Sequence, residues 1–165
     1  MSKNIDTEGL RSIVEDYDLF FIDIWGVVHN GIKLHKKAIQ ALLEIEKIKK
    51  DYVLLTNAPR PNNTVKLFLD KMGLDKSIQN KVYTSGEAAL NYLKKNHLEE
   101  FFYHIGPPKD FDLFLNFKQN KTNDIAACSY FLCTGLFNDY DKDLNYYKNL
   151  LSKFTSKKWF VQIQI

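Results

Sequence analysis

Asp18-Leu-Phe-Phe-Ile-Asp23 is the stretch on which the fold turns. A continuous apolar run of this length, bounded by acids, suits a strand buried on both faces, as in a parallel sheet. Working outward, Asn30-Gly31 is a tight-turn signal, because both residues tolerate positive φ. Residues 35–50 place Ala38, Leu42, Ile45 and, less regularly, Ile48 on one helical face. Tyr52 to Leu55 is a second short apolar strand, ended by Thr56-Asn-Ala-Pro-Arg-Pro61, where two prolines stop either kind of element.

Asn62 or Asn63 is placed to cap a helix with Val65, Leu67, Phe68 and Met72 on its face and Gly73 as its stop. Lys81 to Thr84 reads as a third strand, Ser85-Gly86 as a turn and Glu87 to Lys95 as a helix. Further strands are expected at Phe101 to Ile105, closed by Gly106-Pro-Pro108, and at Ala126 to Cys133. Helices are expected at Asp110 to Phe117 and at Asp141 to Phe154, the latter with Leu144, Tyr147, Leu150 and Leu151. Strands alternating with helices imply parallel pairing through right-handed crossovers. The fold class is therefore α/β, a doubly wound parallel sheet of Rossmann-like type.

Composition agrees. The 165 residues are 45% hydrophobic and 26% charged, ordinary proportions for a globular protein. A net charge of +3, with Lys scattered among Asp and Glu, reads as a solvated surface and not a nucleic-acid footprint. Met1 to Leu10 lacks the apolar core of a signal peptide, and no apolar run is long enough to span a bilayer. Cys128 and Cys133 have neither metal-ligand spacing nor a nearby His, and are read as free thiols in a reducing cytoplasm.

In open parallel sheets functional groups gather at the carboxyl ends of the strands. Asp23 closes the first strand and Thr56-Asn57 the second. A carboxylate there can attack phosphorus, splitting a hard hydrolysis into two steps through an aspartyl-phosphate. A Thr hydroxyl and backbone N–H groups can hold phosphoryl oxygens, and a divalent cation, most naturally Mg²⁺, would bridge carboxylate and phosphate. The alternative is structural: Asp23 ends a strand, and Thr56-Asn57 shapes a loop.

Phe21-Ile-Asp-Ile-Trp-Gly-Val-Val-His-Asn-Gly31 resembles the first motif of the haloacid-dehalogenase superfamily, and Leu54-Leu-Thr-Asn-Ala-Pro-Arg-Pro61 its second. With Val82-Tyr-Thr-Ser-Gly-Glu-Ala88, His104-Ile-Gly-Pro107 and Leu132-Cys-Thr-Gly-Leu-Phe137, the order is similar to that of the NagD-like subgroup, in which an α/β cap is inserted after the second motif. The resemblance implies a phosphohydrolase of small phosphorylated metabolites. Asp23 would be nucleophile and Mg²⁺ ligand, the Trp25 backbone carbonyl a second ligand, and Thr56 with the Asn57 backbone the phosphoryl-binding group. Arg60 is near enough in sequence to assist, or to serve only the surface. Residues 1–88 would be the N-terminal part of the core and 89–158 a partial cap. A phospho-acceptor signalling domain shares the α/β layout but has no place for Thr56 to Pro61 or a cap-like second half.

Two departures qualify the activity. Most members carry an acid two residues after the nucleophile, whereas this chain carries Trp25, as one branch of NagD-like proteins does. An indole cannot supply the catalytic proton, a loss worth roughly 10²- to 10⁴-fold. His29 is a substitute only if its hairpin folds over the site, and is otherwise an exposed turn residue. The family's third-motif Lys and fourth-motif acids also find no counterpart, so little or no turnover is expected. The competing expectation is a non-catalytic domain that binds phosphate-containing ligands.

Trp159-Phe-Val-Gln-Ile-Gln-Ile165 alternates apolar and polar residues. It is read as a frameshifted tail, the alternative being a terminal strand that pairs with Ala126 to Cys133. NagD-like relatives have a segment resembling Met-Val-Cys-Ala-Asn-Pro-Asp at this place. Encoded as ATG GTT TGT GCA AAT CCA GAT and read one base later, that peptide becomes the sequence of residues 159–165.

Overall fold

The computed structural model describes residues 9–108, 110, 115–136, 142–152 and 156–161. Its elements are β1 (Leu19–Asp23), α1 (Lys36–Lys47), β2 (Asp51–Thr56), α2 (Asn62–Lys71), α3 (Lys76–Gln79), β3 (Val82–Thr84), α4 (Ser85–Asn96), β4 (Phe102–Ile105), β5 (Tyr130–Cys133), α5 (Leu144–Ser152) and β6 (Lys158–Val161). Short 3₁₀ turns lie at Leu10–Ser12, Val14–Asp16 and Lys118–Asn120. The sheets run in the orders β1-β2-β3 and β4-β5-β6. Pairing of β1 with β2, β4 with β5 and β5 with β6 is parallel, as the alternation of strands and helices requires. The α/β, Rossmann-like class is thus what the chain adopts.

The chain divides into two compact units. The first comprises Met1–Thr56 and Val65–Tyr83, the second Asn57–Thr64 and Thr84–Ile165. In the first, Leu42 and Ile45 of α1, Tyr52 and Leu54 of β2, Leu69 of α2, Leu74, Ile78 and Val82 form one apolar core with Ile24 and Val28. Tyr52 is wholly buried, and its hydroxyl meets the resulting need for a partner by donating to Glu46 Oε1 at 2.7 Å. Helix α1 ends in a left-handed residue, Lys49 (φ 61°), with Lys49 N–H donating to the Glu46 carbonyl and Lys50 N–H to the Ile45 carbonyl.

In the second unit β5 separates two clusters. Phe102, Tyr130 and Leu132 pack with Leu90 and Leu93 of α4 on one side. Ile105 and Phe131 pack with Tyr147, Leu150 and Leu151 of α5 on the other. Here a central parallel strand is covered on both faces. Lys158 to Val161 pairs with Tyr130 to Cys133. The last four residues lie outside the described residues, as does part of the helix expected at 110–117.

Three local expectations are corrected. β1 is not buried on both faces: Leu19 and Phe21 are 44% and 68% exposed, because the apolar core gathers on the other face of the sheet, where Phe20 and Ile22 lie with Tyr52 and Leu54, and Val53 of the central strand is likewise only half-buried. In α2, Leu67 and Phe68 are exposed, and the inward residues are Val65 and Leu69, one helical turn apart. Neither asparagine caps α2 with its side chain. Asn62 is the first helical residue and its amide oxygen accepts from Thr84 N–H, while Asn63 is exposed.

Candidate active site

The register between β1 and β2 sets Asp23 beside Leu55, so Thr56, the next residue, ends β2 at the same edge of the sheet where Asp23 ends β1. Both residues are thereby carried to the carboxyl end of adjacent parallel strands, about 4.8 Å apart in the hydrogen-bonding direction. Asp23 is exposed, and its Oδ1 accepts from Ile24 N–H at 2.8 Å. That bond fixes one oxygen and the direction of the other. Asn57 follows Thr56 directly and is exposed.

Beyond Asp23 the chain makes a tight turn. The Ile24 carbonyl accepts from both Val28 and His29 N–H, and Gly26 N–H donates to the His29 carbonyl. Gly26 (φ 78°) permits the reversal. The Asn30-Gly31 turn forms as expected, with the Asn30 side-chain oxygen accepting from Ile32 and Lys33 N–H and Gly31 at φ 88°. These bonds bypass the Trp25 carbonyl, which accepts no hydrogen bond among the described residues.

Trp25 is 63% exposed but seated. A Cβ on Gly31 would stand 2.6 Å from its Cη2, so the indole lies directly on the glycine. His29 meets the indole edge-on with ring centroids 5.4 Å apart, and Phe68 meets His29 at 5.5 Å. His29 is therefore buried and not the exposed turn residue that the sequence suggested. Its Nδ1 accepts from Gly31 N–H at 2.8 Å, which leaves the proton on Nε2. Burial, and secondarily His35, holds its pKa below the usual histidine range against an opposing pull from Asp23. A neutral ring packed between two aromatic side chains orders the turn.

The loop after Thr56 is held by its own unit. Ser85 Oγ and Gly86 N–H both donate to the Ala58 carbonyl, and Thr84 Oγ1 donates to the Arg60 carbonyl at 2.5 Å. The Arg60 guanidinium lies 3.7 Å from Oδ1 of Asp110, whose side chain is buried. Arg60 is thus committed to a buried carboxylate. The sequence did not single out Asp110 for this, since nothing local marks it as the partner of a residue fifty positions earlier.

A family model described as haloacid dehalogenase-like hydrolase matches residues 20–117. The chain belongs to that family. No curated protein sequence matches it. Among solved structures, a haloacid dehalogenase-like hydrolase from Brucella suis 1330 superposes with a TM-score of 0.71 at 27% identity, over 89% of this chain and 53% of that one. A putative NagD protein gives 0.64 at 18% identity, covering 88% and 56%. The 4-nitrophenylphosphatase of Thermotoga maritima gives 0.67 at 18% identity, covering 91% and 56%. The family member described here thus spans about half the length of these structures, and shares the NagD-like fold over nearly all of its own.

Asp23 and the Trp25 carbonyl are two hard oxygen donors, two residues apart in the chain. Among the described residues no group of three or more His, Cys, Asp or Glu gathers to hold a metal. Such a pair suits a small hard cation that keeps water and phosphate oxygens in its shell, and does not suit a soft metal that wants a complete protein cage. None of the described helices is long and apolar enough to cross a membrane.

Proposed function

We propose that this chain carries the nucleophile half of a Mg²⁺-dependent phosphohydrolase that acts on small phosphorylated metabolites through an aspartyl-phosphate. The observation that supports this most directly is the parallel register that ends β1 at Asp23 and β2 at Thr56 on one sheet edge. The fold shared with a protein titled 4-nitrophenylphosphatase is consistent with a phosphate ester as substrate.

Asp23 holds one oxygen against Ile24 N–H and offers the other to phosphorus, forming a P–O bond as the ester oxygen leaves with the electron pair. Thr56 and the Asn57 backbone N–H hold the non-reacting phosphoryl oxygens. Asp23 and the Trp25 carbonyl would hold the cation, which neutralises repulsion between carboxylate and phosphate. Trp25 cannot protonate the leaving oxygen or activate the water that later attacks the acyl-phosphate. Water must do both unaided, so departure and hydrolysis are slow. With Asp23 the one carboxylate at that strand end among the described residues, these residues alone would hold the cation weakly. We assign residues 89–158 to the start of the cap.

The 165-residue chain is accordingly expected to bind phosphate analogues but to turn over little. Beryllofluoride with magnesium chloride, followed by fluorine NMR, should give a bound resonance that Asp23→Asn abolishes. Binding that survives Asp23→Asn would favour a non-catalytic phosphate-ligand domain, a reading that the indole at position 25 supports. Magnesium-dependent phosphate release, lost in Asp23→Asn, would overturn the expected inactivity.

A further inference from the structure

Thr84-Ser85-Gly86-Glu87 has the spacing of a reciprocal helix cap, in which Thr accepts from the Glu N–H and the Glu side chain returns to the Thr N–H. Half of this forms: Thr84 Oγ1 accepts from Glu87 N–H at 2.9 Å. The other half is diverted. Glu87 Oε2 accepts from Asn62 N–H at 3.0 Å, and Asn62 Oδ1 accepts from Thr84 N–H at 2.8 Å. Asn62, more than twenty residues earlier, is thereby inserted into the cap of α4. Three further bonds tie the intervening loop to the same turn: Ser85 Oγ and Gly86 N–H to the Ala58 carbonyl, and Thr84 Oγ1 to the Arg60 carbonyl.

Gly86 makes the approach possible. A Cβ there would stand 2.3 to 2.5 Å from the backbone O, N and C of Arg60, and backbone cannot swing aside as a side-chain tip can. Glycine here serves close contact and not a positive φ.

We propose that the Thr84-to-Glu87 turn is a positioning clamp for the loop that follows Thr56, and that it sets anion affinity without touching the anion. The inference rests on the phosphate-binding reading of Thr56 and Asn57 given above. Oriented backbone N–H groups bind phosphate well only when their directions are fixed beforehand. Residues 57–61 contain two prolines and no regular element, so a fixed direction must be imposed from outside.

The test uses the whole chain and compares Thr84→Val, Thr84→Ser, Gly86→Ala and Leu93→Ala. Leu93 lies in the core of the same unit, so its truncation lowers stability without touching the loop. Two quantities are read: the Kd for inorganic phosphate with magnesium chloride, and amide hydrogen exchange in the peptide covering 57–64, whose Asn62 N–H is held by Glu87. Thr84→Val and Gly86→Ala should weaken phosphate binding tenfold or more and speed exchange in that peptide at least tenfold. Thr84→Ser should restore both, and Leu93→Ala should lower the melting temperature with neither effect. Unchanged exchange in Thr84→Val and Gly86→Ala, with spectra of folded protein, would overturn the clamp. Loss of the clamp's exchange signature in a parent that binds no phosphate would uphold the clamp and sink the phosphate reading.

Discussion

Gly31 and Trp25 form a pair whose cost of change can be divided. Alanine at position 31 meets two penalties: a left-handed backbone, worth about 1 kcal/mol or slightly more, and collision with the indole. Gly31→Ala is therefore expected to destabilise by about 1–3 kcal/mol. In a Trp25→Ala background only the backbone penalty survives, so the cost should fall to about 1 kcal/mol. Urea titration of the four proteins closes this cycle, and equal costs in both backgrounds would show that the indole does not rest on Gly31. His104 supplies a pH effect of known sign. It is buried, bonds Thr134 Oγ1 at 2.8 Å, and burial, with a lesser contribution from Lys121, depresses its pKa from 6.5 to about 4. Between those values the unfolded chain binds a proton that the folded one refuses, so stability is full above about pH 6.5 and declines toward pH 4. The whole window corresponds to about 3 kcal/mol at most. Denaturant midpoints from pH 7 to 4.5 should fall more steeply for the parent than for His104→Gln.

Helix α1 stops in a Schellman arrangement whose left-handed position holds Lys49 where glycine is the usual occupant. Lys49→Gly should raise the urea midpoint by an amount equivalent to about 0.5–1 kcal/mol with unchanged slope. A fall instead would mean that unfolded-state freedom outweighs the relieved backbone. At this scale the sequence was readable where one signal sufficed. Asn30-Gly31 forms its turn and Gly73 its stop at φ 81°, and the apolar runs at 19–22, 53–55 and 102–105 are strands. It misled where burial depended on which face of a sheet is covered. Four apolar residues look alike whether one face of the sheet is covered or two, yet β5 is covered on both faces while β1 and its central neighbour β2 are buried on one. In α2 the periodicity admitted two faces, and only the sheet beneath chooses Leu69 over Leu67 and Phe68. His29 shows the same limit, since one of the two rings packed against it is Phe68, almost forty residues later.

For the molecule as a whole, the exposed Leu19 and Phe21 lie on a strand that pairs with β2 alone among the described residues. An unpaired strand edge beside an apolar face invites association. Sedimentation of the 165-residue chain should show concentration-dependent self-association that Phe21→Lys reduces; a parent that stays monomeric at high concentration would refute this. The candidate site was partly legible: Asp23 and Thr56 stand out because strand ends are visible in sequence, and parallel pairing brings them to one edge. The Arg60–Asp110 pair and the exchange among Thr84, Asn62 and Glu87 were not, because each joins residues more than twenty positions apart without a periodic signal. The division into units has a consequence for anyone building chimaeras. The eight residues 57–64 group with the later unit although they are flanked by the earlier one. Neither unit is a single contiguous stretch, so splicing the chain at one junction transplants neither intact. An exchange between relatives must carry the octapeptide with the turn that grips it, or the recipient inherits a loop cut for another lock.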